Sequence, residues 1–428
     1  GSGVDLRGSD NAVVNCWIHH IDYIGAYCAP VSLLGLRQLV SHNTIAVAGR
    51  DCIKLGGAEH LIQFNDIANP GRICHDLGAV YSGGLDGGNT RIRYNFVHGN
   101  AGSRDNVGIY LDNYMANYIV DHNVVWDVGN GIRLNRPTGF CMILNNTVFA
   151  DINNSWGPWK GQKVQWGCHV MNNVCSGKLT MNPEVVVAGN VVQSDLKDGY
   201  FDTKNRTWGR QSPGAGRGVA VEGVTPRSDV DAGAHQRGGP AWRAGHDFSR
   251  EPDPAYTAAD EPLRNFVRNA GFEYVSYCRE AGEKTDPLVG WTRTHAASAR
   301  VANHPGFNTP PANARQSVHG NSVTLDGQGD NGIEQELTGL APNTEYTFSG
   351  YARHGDDANV EFAVESPGRD AARTMSRTVK LGPGQTWRFV SVRFATGPGQ
   401  TTAKVAIVKR GPGTAYIDDT GVVTARYA

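Results

Sequence analysis

The sequence predicts an all-β chain, a right-handed parallel β-helix followed by a β-sandwich of the jelly-roll kind. Three observations carry that expectation. An Asn ahead of a short apolar run recurs at Asn15, Asn43, Asn65, Asn95, Asn123, Asn146, Asn173 and Asn190, at intervals averaging 25 residues. A second row runs in parallel with it: Cys52-Ile-Lys54-Leu, Ala79-Val-Tyr81-Ser, Gly108-Ile-Tyr110-Leu and Gly131-Ile-Arg133-Leu. Beyond about residue 262 the texture changes to short alternating strands separated by turns such as Leu340-Ala-Pro-Asn-Thr344.

The intervals vary by several residues, which suits coils whose strands stack while their loops differ in length. Helical repeats are excluded, because they need amphipathic stretches of ten or more residues and this region has none. Asn suits the bend between strands, since it tolerates left-handed backbone and its amide reaches the Asn one coil away. In the second row, side chains alternate in and out. Ile53, Val80, Ile109 and Ile132 are then expected to stack inward, and Lys54, Tyr81, Tyr110 and Arg133 to line one outer face. Strands about 4.8 Å apart would make those four a continuous shelf for an extended polymer.

Bulk properties bound the partners. A chain of 428 residues is expected to hold two or three domains. Lys plus Arg is 40 and Asp plus Glu is 41, so there is no electrostatic reason to expect nucleic acid or an anionic membrane. No apolar run approaches the roughly 18 residues that cross a bilayer. The 54 glycines show no collagen period and point to many tight turns. The eight cysteines, 16, 28, 52, 74, 141, 168, 175 and 278, lack zinc-site spacing and read as buried thiols, with a disulfide among some of them as the alternative.

In chain order, residues 1–247 are expected to form the β-helix, 248–261 a linker and 262–428 the sandwich. The stretch Asp229-Val-Asp231 through Gly-Gly-Pro240-Ala-Trp242 is expected to be the terminal coil and cap. The opening Gly3-Val-Asp5-Leu already reads as mid-helix strand, so the chain is expected either to be a fragment of a longer protein or to have its first coil covered by something else. In the sandwich, strands are expected at Ser322-Val-Thr-Leu, Ile333-Glu-Gln-Glu-Leu337, Tyr346 to Ala352, Val360 to Val364, Trp387 to Phe394, Ala403 to Val408 and Ala415 to Asp419.

Two resemblances follow from quoted residues. Asn269-Ala-Gly271-Phe-Glu273, Gly290-Trp291, Gln335-Glu-Leu with Tyr346-Thr-Phe-Ser-Gly-Tyr-Ala-Arg, and Tyr416-Ile-Asp-Asp419 resemble the jelly-roll carbohydrate-binding modules found beside xylanases and glucanases. That likeness implies a structural calcium with Glu273 and Asp419 near it, and aromatic side chains that stack on sugar rings. Trp387 and Tyr351 are the candidates, and Trp291 is expected in the core. Asp76-Leu-Gly-Ala-Val-Tyr81, Asn89-Thr-Arg-Ile-Arg-Tyr-Asn95-Phe-Val-His98, Gly108-Ile-Tyr-Leu-Asp112-Asn113 and Leu144-Asn-Asn146-Thr-Val-Phe149 resemble secreted bacterial β-helix enzymes of polysaccharide breakdown. The likeness is to the glycoside hydrolase group with α-L-fucosidase and xylanase activities, and it implies a secreted or periplasmic protein. The chain departs from that pattern at Asn113, where a second acid is frequent.

Glycoside hydrolysis needs two carboxyl groups across the scissile bond and no cofactor. Asp76 and Asp112 lead, followed by Asp105 and Asp86. A five-residue count from Tyr81 and Tyr110 stacks Asp76 and Asp105 one coil apart, and all four acids are expected to converge on one patch. The bland reading of each is a turn-forming Asp. His98 is expected at the rim of the cleft. The rival activity is a polysaccharide lyase, in which Lys54, Tyr110 or Arg133 is the base and calcium held by acids neutralises a uronate. A non-catalytic glycan-binding helix is the third reading. All three share a polysaccharide or oligosaccharide partner.

Overall fold

A computed structural model describes residues 1–24, 27–100, 102–154, 165–194, 196, 200–209, 212–220, 229–239, 242–250, 264–274, 277, 286–294, 299–303, 321–354, 358–366, 373–381 and 387–424. They fall into two compact units, one built on residues 1–220 and 227–262 and the other chiefly on 263–279 and 284–428. Most of the expected linker, 251–261, lies outside the described residues, as does Cys278.

The first unit is a parallel β-helix of three sheets. The first sheet stacks Val4–Leu6, Val31–Leu33, Ile53–Lys54, Leu77–Gly83, Asn106–Asp112, Asn130–Leu134, Ile152–Asn153 and Leu179–Thr180. The second runs from Ala12–Val14 to Val186–Ala188, and the third from Trp17–Ile21 to Val191–Val192. Val31, Ile53, Val80, Ile109, Ile132 and Ile152 are register partners in the first sheet and are at most 1% exposed, so they form the expected inward apolar ladder.

The corner between the second and third sheets carries the Asn row. From Asn43 through Asn65, Asn95, Asn123, Asn146 and Asn173 to Asn190, each Nδ2 donates to the next Oδ1 at 2.9–3.0 Å. The backbone amide of each also donates to the next Oδ1. Two details correct the sequence expectation. The left-handed residue is the one before each ladder Asn: His42, Phe64, Tyr94, His122, Asn145 and Asn172 all have φ between 51° and 56°. The ladder Asn is selected instead by its amide, which needs an acceptor above and offers one below. In the first coil Asn15 is itself the left-handed residue, and the ladder place belongs to Cys16, whose amide donates to Asn43 Oδ1 at 2.9 Å. Four of the left-handed side chains, His42, Phe64, Tyr94 and His122, stack with centroids 4.8–5.1 Å apart.

The described residues of 212–220, 229–239 and 242–248 do not add a coil or close an end, as the sequence had suggested. They lie along the outside of this corner. Val219 exchanges two hydrogen bonds with Asn172, Asn145 donates to the Asp231 carbonyl, and Trp242 packs on Tyr94 and Phe96 at 5.3 and 4.9 Å. Gly245 donates to the Phe64 carbonyl, and Asp247 exchanges two hydrogen bonds with Asn15 in the first coil. The hairpin of Phe201–Asp202 and Thr207–Trp208 covers the third sheet, with Phe201 on Phe96 and Trp126.

The second unit is a β-sandwich of two five-stranded antiparallel sheets. One orders Thr292–Arg293, Asn331–Thr338, Thr402–Arg410, Ala358–Ser366 and Arg373–Leu381; the other orders Arg300–Asn303, Asn321–Leu325, Ala415–Thr424, Glu345–His354 and Arg388–Ala395. Phe272, Trp291, Phe348 and Phe362 lie between them, so Trp291 is core as expected. Among the described residues no helix is long and apolar enough to cross a membrane. The seven described cysteines are all thiols.

The Asn ladder sets the expected cost of breaking it. Asn123→Ala strands the Asn95 backbone amide inside the corner and removes one of the two donors to Asn146 Oδ1, so it should lower stability by about 1–3 kcal/mol. A urea titration of the first unit's unfolding would measure this, and a loss within error of zero would show that the ladder is ornamental.

Candidate active site

The outer face of the first sheet brings the expected row together. Lys54, Tyr81, Tyr110 and Arg133 are direct register partners on four successive strands. The Tyr81 and Tyr110 rings meet edge-on at 5.6 Å, and the Arg133 guanidinium lies 5.4 Å from the Tyr110 ring centre. Lys54 Nζ is tied to the Tyr27 carbonyl at 2.9 Å.

Asp112 ends its strand opposite Gly83. Three donors converge on its carboxylate: Tyr81 Oη at 3.0 Å, Asn135 Nδ2 at 2.6 Å and the Asn113 amide at 2.8 Å. Gly83 leaves the space for this, since a Cβ there would stand 3.0 Å from the Tyr81 hydroxyl. Asn135 also donates to Tyr110 Oη and Asn113 Oδ1, and Asn113 donates to the Arg136 carbonyl. Asn113 therefore serves this network by hydrogen bonding, where a carboxylate would lose the donor.

Asp76 stands at the other end of the preceding strand, just before Leu77, and is exposed. Its carboxyl is pushed up, first by partial burial and then by the charge of Asp112, while Arg50 and Arg133 pull it down. The two leading acids are thus not stacked neighbours but lie close enough for their charges to act on each other. Tyr110 lies within electrostatic reach of both. The hydroxyls of Tyr81 and Tyr110 are both pushed well above the ordinary tyrosine range, by burial first and Asp112 second.

Asp105 is the stacked neighbour of Asp76, and its carbonyl accepts from the Leu77 amide. It is exposed and pairs with Arg133 at 3.7 Å. Two expectations fail. Asp86 is only 4% exposed and belongs to the second sheet, where Gly88 and Asn117 donate to it. The chain turns at Gly84 (φ 68°), so counting forward from Tyr81 leaves the groove. His98 belongs to the third sheet, stacked on Trp126 at 4.3 Å and bonded to Asp66 at 2.8 Å. A residue after the Asn corner faces that sheet, away from the tyrosine row.

Sequence reading missed Arg50 and Asn135. Arg50 is buried, paired with Asp51 at 3.2 Å, and its guanidinium lies 4.8 Å from the Tyr81 ring centre and 4.4 Å from that of Tyr27. Its Nη2 donates to the Asp76 carbonyl at 2.7 Å, which connects the two halves of the site. Burial pushes the Asp51 carboxyl up to about 7 despite Arg50. Arg50 precedes its strand in a loop, where no periodicity marks it. Asn135 closes the Gly131-Ile-Arg133-Leu-Asn135 repeat and was legible as the counterpart of Asp112 one coil on.

In the second unit, Tyr351 is 3% exposed and packed on Phe389 at 5.3 Å, so it offers no open ring face to a sugar. Trp387 is half-buried with the Arg353 guanidinium 5.2 Å from its ring centre, and the same guanidinium lies 4.8 Å from that of Tyr416. Glu273 is buried and accepts from the amide and side chain of Asn321, both at 2.9 Å. Asp419 is buried with φ 47° at an irregularity in its strand. The next residue, Thr420, bonds the Ala270 carbonyl through both amide and hydroxyl, which brings the Glu273 turn and Asp419 to one edge. Among the described residues no three His, Cys, Asp or Glu side chains cluster closely enough to hold a metal ion by themselves.

No protein-family model matches the chain. Over 92 residues it is 39% identical to a keratan-sulfate endo-1,4-beta-galactosidase of Sphingobacterium multivorum, a match covering 21% of this chain and 20% of that protein. The chain thus spans about a fifth of the curated relative it matches. Among solved structures, the carbohydrate-binding module TmCBM61 in complex with beta-1,4-galactotriose aligns at 18% identity over 38% of this chain and 99% of its own, with a TM-score of 0.27. The xylan-binding domain CBM22-1 from Paenibacillus barcinonensis Xyn10C aligns at 17% identity, 32% and 88% coverage and TM-score 0.25. The enzymatically active domain of Bacteriophage CBA120 tailspike protein 4 aligns at 10% identity over 99% of this chain and 64% of its own, with TM-score 0.29.

The coupling of the two acids has a sign. Removing the Asp112 charge in Asp112→Asn should let Asp76 titrate at lower pH than in the native protein. Carboxyl-carbon NMR titration reads this directly, and an unmoved Asp76 midpoint would separate the two acids into unrelated sites.

Proposed function

We propose that the first unit is a glycoside hydrolase whose acids are Asp76 and Asp112 and that the second unit holds glycan. The observation that carries this reading is the difference between the two carboxyls. Asp112 is held as an acceptor by three donors, whereas Asp76 is exposed and pushed toward its protonated form. A carboxyl pushed toward its protonated form suits the acid, and one held as an acceptor by three donors suits the nucleophile or base. Asp76 then protonates the leaving oxygen, and Asp112 attacks the sugar or activates water. Tyr81 and Asn135 orient Asp112, Arg50 holds the Asp76 backbone and Tyr81, and Lys54 borders the sugar path, with Tyr110 and Arg133, only 4% and 9% exposed, supporting it from within. Asp105 is kept as an outer charge that tunes Asp76 and Arg133.

The 92-residue match to an endo-galactosidase that acts on keratan sulfate supports a glycan substrate and hydrolysis. The lyase reading is the weaker one. It needs a side chain that readily gives up a proton, and both groove tyrosines are pushed the other way, while Lys54 is tied to a carbonyl. In the second unit, Trp387, Arg353 and Tyr416 replace Tyr351 as the candidate sugar platform, by stacking and cation–π contact. For calcium, the donors at the Ala270–Thr420 edge are all oxygens, which suits that ion. Glu273 and Asp419 would hold it, with backbone carbonyls completing the set, and it would tie the start of the unit to its last strand.

Incubation with keratan sulfate and a panel of neutral polysaccharides should release reducing ends without an unsaturated, ultraviolet-absorbing product. Asp76→Asn and Asp112→Asn should each lower kcat/KM by about 10²- to 10⁴-fold with the fold retained. Because Asp76 must be protonated and its carboxyl is raised, the high-pH limb of the native profile should lie above the ordinary carboxylate range. Full activity in both variants would reject the site, and an unsaturated product would replace hydrolysis with elimination. Separately, a chelator should lower the melting temperature of the second unit, and added calcium should restore it; an unmoved transition would remove the metal from the proposal.

A further inference from the structure

Beyond Asp112 the same corner of the first sheet carries a second feature, Arg136. It follows the strand Asn130–Leu134, and its carbonyl accepts from Asn113, the residue next to Asp112. Its side chain is buried at 2% exposure, yet Nε and Nη2 have no hydrogen-bond partner. Nη1 reaches only Asn182 Oδ1, at 3.4 Å. No carboxylate among the described residues stands within ion-pair distance of it, unlike Arg50 beside Asp51 or Arg91 beside Asp121.

A buried polar group without a partner is costly, and most escape the cost by pairing or by losing charge. Asp22 illustrates the second route. It is buried, neither of its oxygens has a partner, and it can take up a proton, toward which burial already pushes it. A guanidinium has no such route, because it stays protonated in proteins. Its two unpartnered donors are buried, and they form a planar fork that matches the two oxygens of a carboxylate or sulfate, so an anion that reaches them has to enter beneath the surface. The direction of the side chain is also informative. Asn182 follows Leu179–Thr180, two strands on from Asn130–Leu134 in the first sheet, so Arg136 extends along the helix axis away from Asp112. Asn182 is three strand steps from the level of Asp112, about 14 Å at about 4.8 Å per step, so the fork lies roughly two sugars from the candidate nucleophile.

Building on the glycan reading above, we propose that Arg136 receives an anionic substituent, a carboxylate or a sulfate ester, on a sugar roughly two units along from the one attacked at Asp112. The substrate is then an acidic glycan and Arg136 a specificity-determining residue. Arg133, whose Nε is likewise buried without a partner, continues the positive side of the groove toward Asp105.

The test is binding in the Asp112→Asn background, by affinity electrophoresis in four gels. These contain keratan sulfate, the same polymer desulfated, a glucuronic-acid-bearing xylan, and that xylan with its carboxyls reduced. One acidic polymer should retard the protein about tenfold more than its neutral counterpart. Which pair shows the difference identifies sulfate or carboxylate. Arg136→Gln should bring the ratio to one, and Arg136→Lys, which keeps the charge but not the fork, should retain part of it. Equal retardation by acidic and neutral forms, retardation by none, or a preference that survives Arg136→Gln would each overturn the proposal. Should Arg136→Gln fail to fold, a preference undiminished in Arg136→Lys would overturn it equally. A preference that follows Arg136 in a native protein that cleaves nothing would keep the anion site and reject hydrolysis alone.

Discussion

Vertical register between coils is the constraint on which the first unit rests. The Asn ladder enforces it with paired bonds at each step, one from the backbone and one from the side chain. Because every ladder amide must find the oxygen of the coil beyond, a slip of one residue in any coil would break bonds on both sides. The same lock fixes which outward side chains become neighbours on the first sheet, 10–16 residues further along each coil. Tyr81 meets Tyr110, and Asp112 finds Gly83 beneath it, because the corner holds the coils to one alignment.

Within that frame the groove is a balance of desolvation and charge. Two tyrosines, two arginines and three acids share one face, and burial pushes Asp76, Tyr81 and Tyr110 toward their protonated forms. Arg50 counters this from behind the Tyr81 ring, and Arg133 from beyond Tyr110. Asp112 keeps its acceptor role because its donors come from two coils and from its own neighbour. Chemistry at such a face depends less on any single residue than on how far each carboxyl is removed from water.

Much of this was legible in the sequence, and the rest was hidden for identifiable reasons. The coil period, the inward ladder from Ile53 to Ile132 and the outward row from Lys54 to Arg133 follow from a repeat combined with the two-residue alternation of strands. Position along a strand was less legible than position across strands. Asp86 was misplaced because the chain turns at Gly84, and His98 because the Asn corner redirects it, and neither bend alters the apolar pattern. Arg50, in a loop, gave no signal, and the stretch around Asp229 to Trp242, which has no period, was misread as a terminal coil and cap. In the sandwich, Trp291 was readable as core, whereas Tyr351 and Trp387 could be told apart only once Phe389 and Arg353 were seen beside them.

The returning segment gives the first unit a property that a bare solenoid lacks. Stacked repeats touch only their immediate neighbours, so they can peel from an end one at a time. Here Asp247 is fastened to Asn15 while Val219 is fastened to Asn172, and Trp242 is wedged between. Early and late coils are thereby each pinned from outside as well as by their neighbours. Fraying of a terminal coil would therefore have to break these outer contacts in addition to the ladder.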